Sequence, residues 1–409
     1  MATSASIGHS TNRNPDTAGR EAAGQALAAL ANPASLLLVF ATAGYDPHVL
    51  IPAIASAFPN VPMAGCSAEG VIAGPLSNEG THAVTVLAVA SDRARFDTLA
   101  VCELGADPVR AATLIADRVR TGPVQPPNAL LLFPDSLTAN ITRLLDTLAD
   151  KLPPNLKVVG GAAGDMMKFQ KTWQYHDGRV LSDAVVAVII GGAVTLEHVV
   201  SHGCDPIGLD RTVTRSDGRS LLEIDGQPAW TVFNGYIDSD GRDLHPGDVD
   251  FLCFGQHIDP VPFYGDRLIR VPFALDKKRG ALLFSVEIPE GSQLTMTRRV
   301  PQRIVANAVA SATRLQQRFP DQAPAFVLQL DCAGRGRALF GERCAAIGLH
   351  PLQDVLGHEV PWTGCYTFGE LASLETRPVL HQYSVVLCAL YDLPIAPPAD
   401  EPREGSAPP

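Results

Sequence analysis

Two short stretches hold the side chains best suited to chemistry. "GCSAEG" brings Gly65, Cys66, Ser67 and Glu69 together, and "GCYTFGE" sets Cys365, Thr367 and Glu370 behind Gly364. A thiol after a glycine turn becomes a nucleophile if main-chain amides point at it, whereas the same thiol packed beneath the turn is inert. Both readings are open for Cys66 and Cys365. A serine hydrolase is not, because the nucleophile elbow needs glycine two residues after the serine and position 69 is glutamate. Glu69 and Glu370 can each accept a hydrogen bond from a ligand's ammonium group, which would suit an amino acid. The alternative is a carboxylate that caps its own turn.

Anion chemistry is concentrated in "CAGRGRALFG", where Cys332 precedes Arg335 and Arg337 among glycines at the start of a helix. Exposed amides and a planar guanidinium there could grip a carboxylate or phosphate. Equally, Arg335 could bridge the turn to Glu370 or Asp331. No Gly-Lys-Ser/Thr follows, so nucleotide hydrolysis is unsupported. "GGAAGD" adds Gly161 and Asp165, small residues for close approach and a carboxylate ready to cap or to bind. His198 and His202 lie on a β-branched run; four residues along a strand separate side chains by about 13 Å, too far to share one zinc. The candidate ligand-binding set is therefore Gly65, Cys66, Ser67, Glu69, Gly161, Asp165, Cys332, Arg335, Cys365, Thr367 and Glu370, with no catalytic residue and no metal ligand expected.

These residues must be positioned by an α/β fold. An apolar strand (35–40), a helix (46–58), a glycine-broken strand and a returning strand (82–90) form one pass. The order recurs from "ALLLFPD" through a helix carrying Ile141, Leu144, Leu145, Leu148 and Leu152 to "DAVVAVIIGG". It appears again from "AFVLQLDCAGR", through a helix with Phe340, Cys344 and Ile347 on one side, to "QYSVVLCAL". Each pass brings a strand end and a glycine turn to one edge, where open α/β sheets bind ligands. Gly65, Gly161 and Gly364 are expected to leave bare main chain around one shared hollow. Between the second and third passes, Asp177-Gly178 and Asp225-Gly226 mark hairpins, and 281–299 reads as another closed at Glu290-Gly291. Pro301 opens a helix with Ile304, Ala308, Ala312, Leu315 and Phe319 on one face.

At 409 residues two folded units are expected. The fold class is α/β, of mixed α+β character: two domains of strand-helix-strand-strand units with mixed sheets, at 31–220 and 221–392. Residues 1–30 read as a flexible segment and 393–409 as a disordered tail. The formal net charge of -11 makes nucleic acid and anionic membrane poor partners. None of the eight cysteines forms C-x-x-C, which suits a reducing compartment. The N-terminus lacks a signal-peptide apolar block, and the longest apolar run, near 184–196, is too short to span a bilayer. A soluble cytoplasmic protein is expected.

Taken together, "GCSAEG", "VVGGAAGD", "SHGCDPIG", "TVTRSDGRSLLEIDGQPA", "FSVEIPEGS", "CAGRGRALFG", "GCYTFGE" and "HQYS" resemble the FIST family of sensory proteins, over residues 30–392. That resemblance implies an N-terminal and a C-terminal FIST domain forming a cytoplasmic input module that binds a small ligand. It also implies signalling to an output protein: a histidine kinase, a chemotaxis component or a cyclic-di-GMP enzyme. The chain ends soon after the second domain, so signalling to a separate partner is expected. A branch of the family implies a haem-bound nitric-oxide sensor as an alternative, with His202 the first and His381 the second candidate ligand. No C-x-x-C-H attachment motif is present, and no cofactor is expected under the main reading.

Overall fold

A computed structural model describes residues 2–237 and 252–394. The expected tail lies almost wholly outside the described residues. The chain is mixed α/β, and its three passes are larger than the apolar runs imply. Each begins with an outer strand and a helix, followed by a central strand, a second helical segment, a glycine-broken strand, a two-stranded hairpin and a returning strand. The first repeat runs from Ser4–Ser10 to Val84–Ala90 and the second from Ala94–Cys102 to Ala184–Gly192. The third starts at Val194–Ser201 and resumes with helix Pro301–Gln317, ending at Val385–Asp392.

Every repeat builds the same strand neighbourhood. Central strands Leu36–Thr42, Pro127–Pro134 and Phe326–Cys332 pair parallel to their glycine-broken strands and antiparallel to their returning strands. The hairpins, however, leave home. That of the first repeat joins the third sheet (Ile72 opposite Gly364), that of the second joins the first sheet (Tyr175 opposite Gly65), and that of the third joins the second (Leu371 opposite Gly160). This cyclic exchange gives three six-stranded sheets. Their inner faces share one core containing Phe40, Cys66, Phe133, Leu330, Cys365 and Val386. Helices cover the outer faces, with Leu50 and Ile54 on the first sheet, Ile115 and Leu144 on the second, and Ala312 and Leu315 on the third.

An eight-stranded sheet is inserted between the first strand and first helix of the third repeat, over residues 204–299. The boundary at 220 meets strand Ser220–Ile224 of this insert, and exchanged hairpins bring strands from both sides of it into one core. Expectation and structure part at two places. The stretch 281–299 is no hairpin. Gln293–Arg299 pairs with Cys204–Asp217 and Leu252–Val261, while Ala281–Phe284 pairs with Ser220–Ile224 and Pro272–Asp276. The long strand Cys204–Asp217 takes the ladder that a local hairpin would use. After Arg335 the expected single helix is broken into Arg337–Phe340 and His350–Leu356, with a 3-10 turn at Gly341–Arg343 and a π-helical turn at Ala345–Leu349 between them.

The segment expected to be flexible instead forms a strand, Ser4–Ser10, and a helix, Pro15–Ala29. Ser4–Ser10 pairs in register with Val84–Ala90, and helix Pro15–Ala29 buries Ala18, Ala22, Ala23 and Ala26. The side chains are small, so the layers sit close: a Cβ at Gly8 would lie 1.8 Å from the Ala22 carbonyl oxygen. Low apolar volume was compensated by proximity rather than by size. Deleting residues 1–30 should therefore lower Tm by more than about 5 °C or leave the protein insoluble; a thermal melt matching that of the full chain would restore the flexible reading.

Candidate functional site

The glycine-broken strands decide what the strand ends can do. In the parallel pairs, Gly65 opposes Val39, Gly160 opposes Leu132 and Gly364 opposes Gln329. A Cβ at these glycines would lie 1.8, 2.0 and 1.9 Å from the facing carbonyl oxygens. The glycines are spent on close approach of two backbones. Gly161, the neighbour of the equivalent position, faces Thr367, whose Cγ2 lies 2.5 Å from where a Cβ would be. The three corners do converge, as main-chain bonds show: Glu69 N donates to Tyr366 O, Gly164 N to Ser67 O, and Ala162 N to Gly369 O. The open hollow expected at the glycines is filled.

Side chains from these corners divide into a strap and a buried polar cluster. Ser67 Oγ donates to Gly164 O at 2.7 Å and accepts from Trp173 N at 2.9 Å. Glu69 Oε1 accepts from Asp165 N and Met167 N, both at 3.0 Å, and Asp165 accepts from Phe169 N, Gln170 N and Lys171 N. Two carboxylates thus hold the loop 165–171, in which Met166, Met167 and Phe169 adopt left-handed backbone. Phe169 stacks on Phe368 of the third corner at 4.9 Å. Cys66 and Cys365 are both fully buried in the inner core. Burial, reinforced by the adjacent Cys66, pushes the Cys365 thiol well up, which removes the thiolate a nucleophile needs.

The cluster lies where the central strand of the third repeat ends. Glu370, with no exposed surface, accepts from Thr367 Oγ1 at 2.8 Å and from Ser384 Oγ at 2.7 Å. Burial lifts its carboxyl to about 8, against those hydrogen bonds and with help from Asp331. Arg335 is 1% exposed. Its Nε donates to Asp331 Oδ1 at 2.6 Å, so of the two bridges the sequence allowed, the one to Asp331 forms. Its Nη1 is buried without a hydrogen-bond partner. Cys332 lies at the end of the same strand, its thiol pushed up by burial.

Two contributors were missed from sequence. Glu79, from the first repeat's exchanged hairpin, accepts from Arg337 N. Its carboxyl is lifted to about 7 by burial, with Asp331 and Glu69 adding to the shift; Glu69 itself is lifted to about 7, again chiefly by burial. No local motif announces Glu79, since only the hairpin exchange carries it there. The insert brings the second contribution: Cys204 and Cys253 pack with Cys332 and Tyr383, the two sulfurs of the insert 4.0 Å apart. A hydrogen bond from Cys253 draws the Cys204 thiol down, aided by His202 and Arg299.

The two histidines named for haem differ. His381 has both ring nitrogens engaged, Nδ1 with Tyr264 Oη at 3.0 Å and Nε2 with Ala372 O at 3.2 Å, and burial holds its pKa down at about 3. His202 accepts from Cys204 N through Nδ1, stands edge-on to Tyr264, and keeps a buried Nε2 without a partner. Among the described residues no group of three or more metal-ligating side chains converges, and no helix is long and apolar enough to cross a membrane.

The strand ends of this mixed α/β architecture thus gather buried polar side chains from all three repeats. The FIST N domain family matches residues 35–227 and the FIST C domain family residues 229–373, so the chain belongs to the FIST family, whose domains serve sensory signal transduction. An uncharacterized protein of Mycobacterium bovis is 27% identical over 400 residues, covering 94% of this chain and 98% of that protein. Another, from Mycobacterium tuberculosis, is 27% identical over 394 residues, covering 94% and 99%. Among solved structures, a chorismatase aligns over 95% of this chain and 99% of its own at 9% identity and a TM-score of 0.38. A cyanuric acid hydrolase from A. caulinodans aligns over 96% and 100% at 8% identity and a TM-score of 0.35.

The raised carboxyl of Glu370 has a defined consequence for stability. The folded state keeps the proton up to about 8, while an unfolded glutamate loses it near 4.5. The contribution is full below that lower value and is lost as pH rises through the upper one. Tm should therefore fall between about pH 5 and pH 8, and Glu370→Gln should flatten that fall; parallel pH profiles for the two proteins would show that the carboxyl titrates normally.

Proposed function

We propose that the protein is a non-enzymatic sensory input module that binds a small carboxylate-bearing metabolite, of the amino-acid class, at the Arg335 cluster. It acts in the cytoplasm and relays occupancy to a separate signalling protein, of the histidine-kinase, chemotaxis or cyclic-di-GMP class that the family resemblance implies. One observation carries the ligand chemistry: a fully buried arginine with an unpartnered Nη1, in a cluster where burial lifts the Glu370 carboxyl to about 8 and those of Glu69 and Glu79 to about 7. A ligand carboxylate supplies the missing acceptor for Arg335. Its ammonium group lets Glu370, or Glu69 and Glu79, release a proton and pair.

Entry requires the loop 165–171 to lift, because the glycine corners themselves are filled. That loop is the natural mover: its strained left-handed residues and exposed Met167 and Phe169 are held chiefly by Glu69 and Asp165. Binding shifts the balance between strapped and lifted arrangements, and a partner reads the difference.

A thermal-shift screen against amino acids, dicarboxylates and sugars tests this. A true ligand at about a hundred times its Kd contributes about 2.7 kcal/mol. The expected result is stabilisation by one or a few amino acids that Arg335→Gln abolishes, with circular dichroism unchanged. No shift from any amino acid, or a large shift from haem alone, would overturn the assignment.

A further inference from the structure

A separate recess of about 520 Å³ opens on the flank, at the seam between the second and third sheets. Its walls come from four places: strand Val194–Ser201 with His198, helix Pro301–Gln317 with Arg314, the turn after Ser373 in an exchanged hairpin, and the insert's turn at Pro262 and Phe263. The volume falls within the range of small-molecule sites.

Two wall residues stand out, one by its backbone and exposure and the other by its pairing. Phe263 is 77% exposed and sits at a φ of 68°, a left-handed conformation that a bulky residue rarely adopts. Arg314 lies with its guanidinium carbon 4.7 Å from the centroid of that ring. Its Nη2 donates to Ser311 Oγ at 2.6 Å, and no carboxylate pairs with it among the described residues. The neighbouring cations differ, since Lys157 and Arg318 share Glu197. Burial and the nearby Arg318 also push the Arg314 pKa down, a cost that a bound anion would relieve.

Stacking occupies the face of a guanidinium and leaves its edge donors free for a bidentate acceptor. Around the recess Lys157, Arg314 and Arg318 outweigh Glu197 and Glu375, on a chain whose net charge is -11. His198 adds no charge, because burial lowers its pKa while Nε2 donates to Ser373 O. We propose that this recess binds a small aromatic carboxylate, its carboxylate gripped edge-on by Arg314 and its ring laid against Phe263. The site is distinct from the Arg335 cluster and does not depend on it.

Isothermal titration of the full chain with benzoate tests the assignment, with cyclohexanecarboxylate, benzyl alcohol and inorganic phosphate as comparisons. Benzoate should bind most tightly, Arg314→Gln should weaken it about tenfold or more, and Phe263→Ala should weaken it several-fold. Arg335→Gln should leave benzoate binding unchanged, which separates this site from the proposed sensory one. Both substituted side chains are at the surface of the recess, and unchanged melting curves confirm folding. No heat from benzoate, an unchanged affinity in Arg314→Gln, or phosphate binding as tightly as benzoate would each overturn the proposal.

Discussion

Close backbone approach at three glycines is the constraint on which the molecule rests. Gly65, Gly160 and Gly364 each let a strand run beside the carbonyl of its parallel partner where a methyl group would collide. With that contact made, the glycine-broken strands turn inward and their hairpins cross to neighbouring sheets. Each sheet thereby receives two strands it did not make. The exchange covers edges that would otherwise present unpaired main-chain groups, and it welds the repeats into one core. No repeat can be removed without opening another's sheet.

The same geometry explains why so much polar chemistry is buried. Strands that end at a common point carry Asp331, Arg335, Thr367 and Glu370 inward, and the crossing hairpin adds Glu79. Isolated charge is expensive there, so burial raises the pKa of Glu370 and Arg335 pairs with Asp331. What is left over is one unsatisfied donor on Arg335. An unpartnered donor on a charged side chain that is itself fully buried is a mark of where a ligand could belong.

Much of this was legible in the amino acids. Apolar runs located the three central strands, and their recurrence pointed to a repeated unit. The Ile141 and Ile304 helices bury the faces their spacing defines. Pairing was the illegible part. Gly70–Asn78 and Glu370–His381 are local hairpins, yet which sheet each joins is a long-range choice that no local pattern records. Hence Glu79 went unnoticed, and the glycines were read as vacancy when they mark contact. The N-terminal segment was misread for a different reason: its many small residues look too slight to fold, but small residues are what a close helix-sheet layer requires. Strand Cys204–Asp217, by pairing along its length with two partners, displaced the hairpin expected at Glu290-Gly291.

Arg335 is the point at which fold and function meet, and native mass spectrometry of freshly purified protein examines it most directly. The account predicts a retained small metabolite bearing a carboxylate, lost when Arg335 is replaced by glutamine. A bare chain mass in both proteins together with no uptake of added amino acids, or an adduct with the mass of haem, would contradict it.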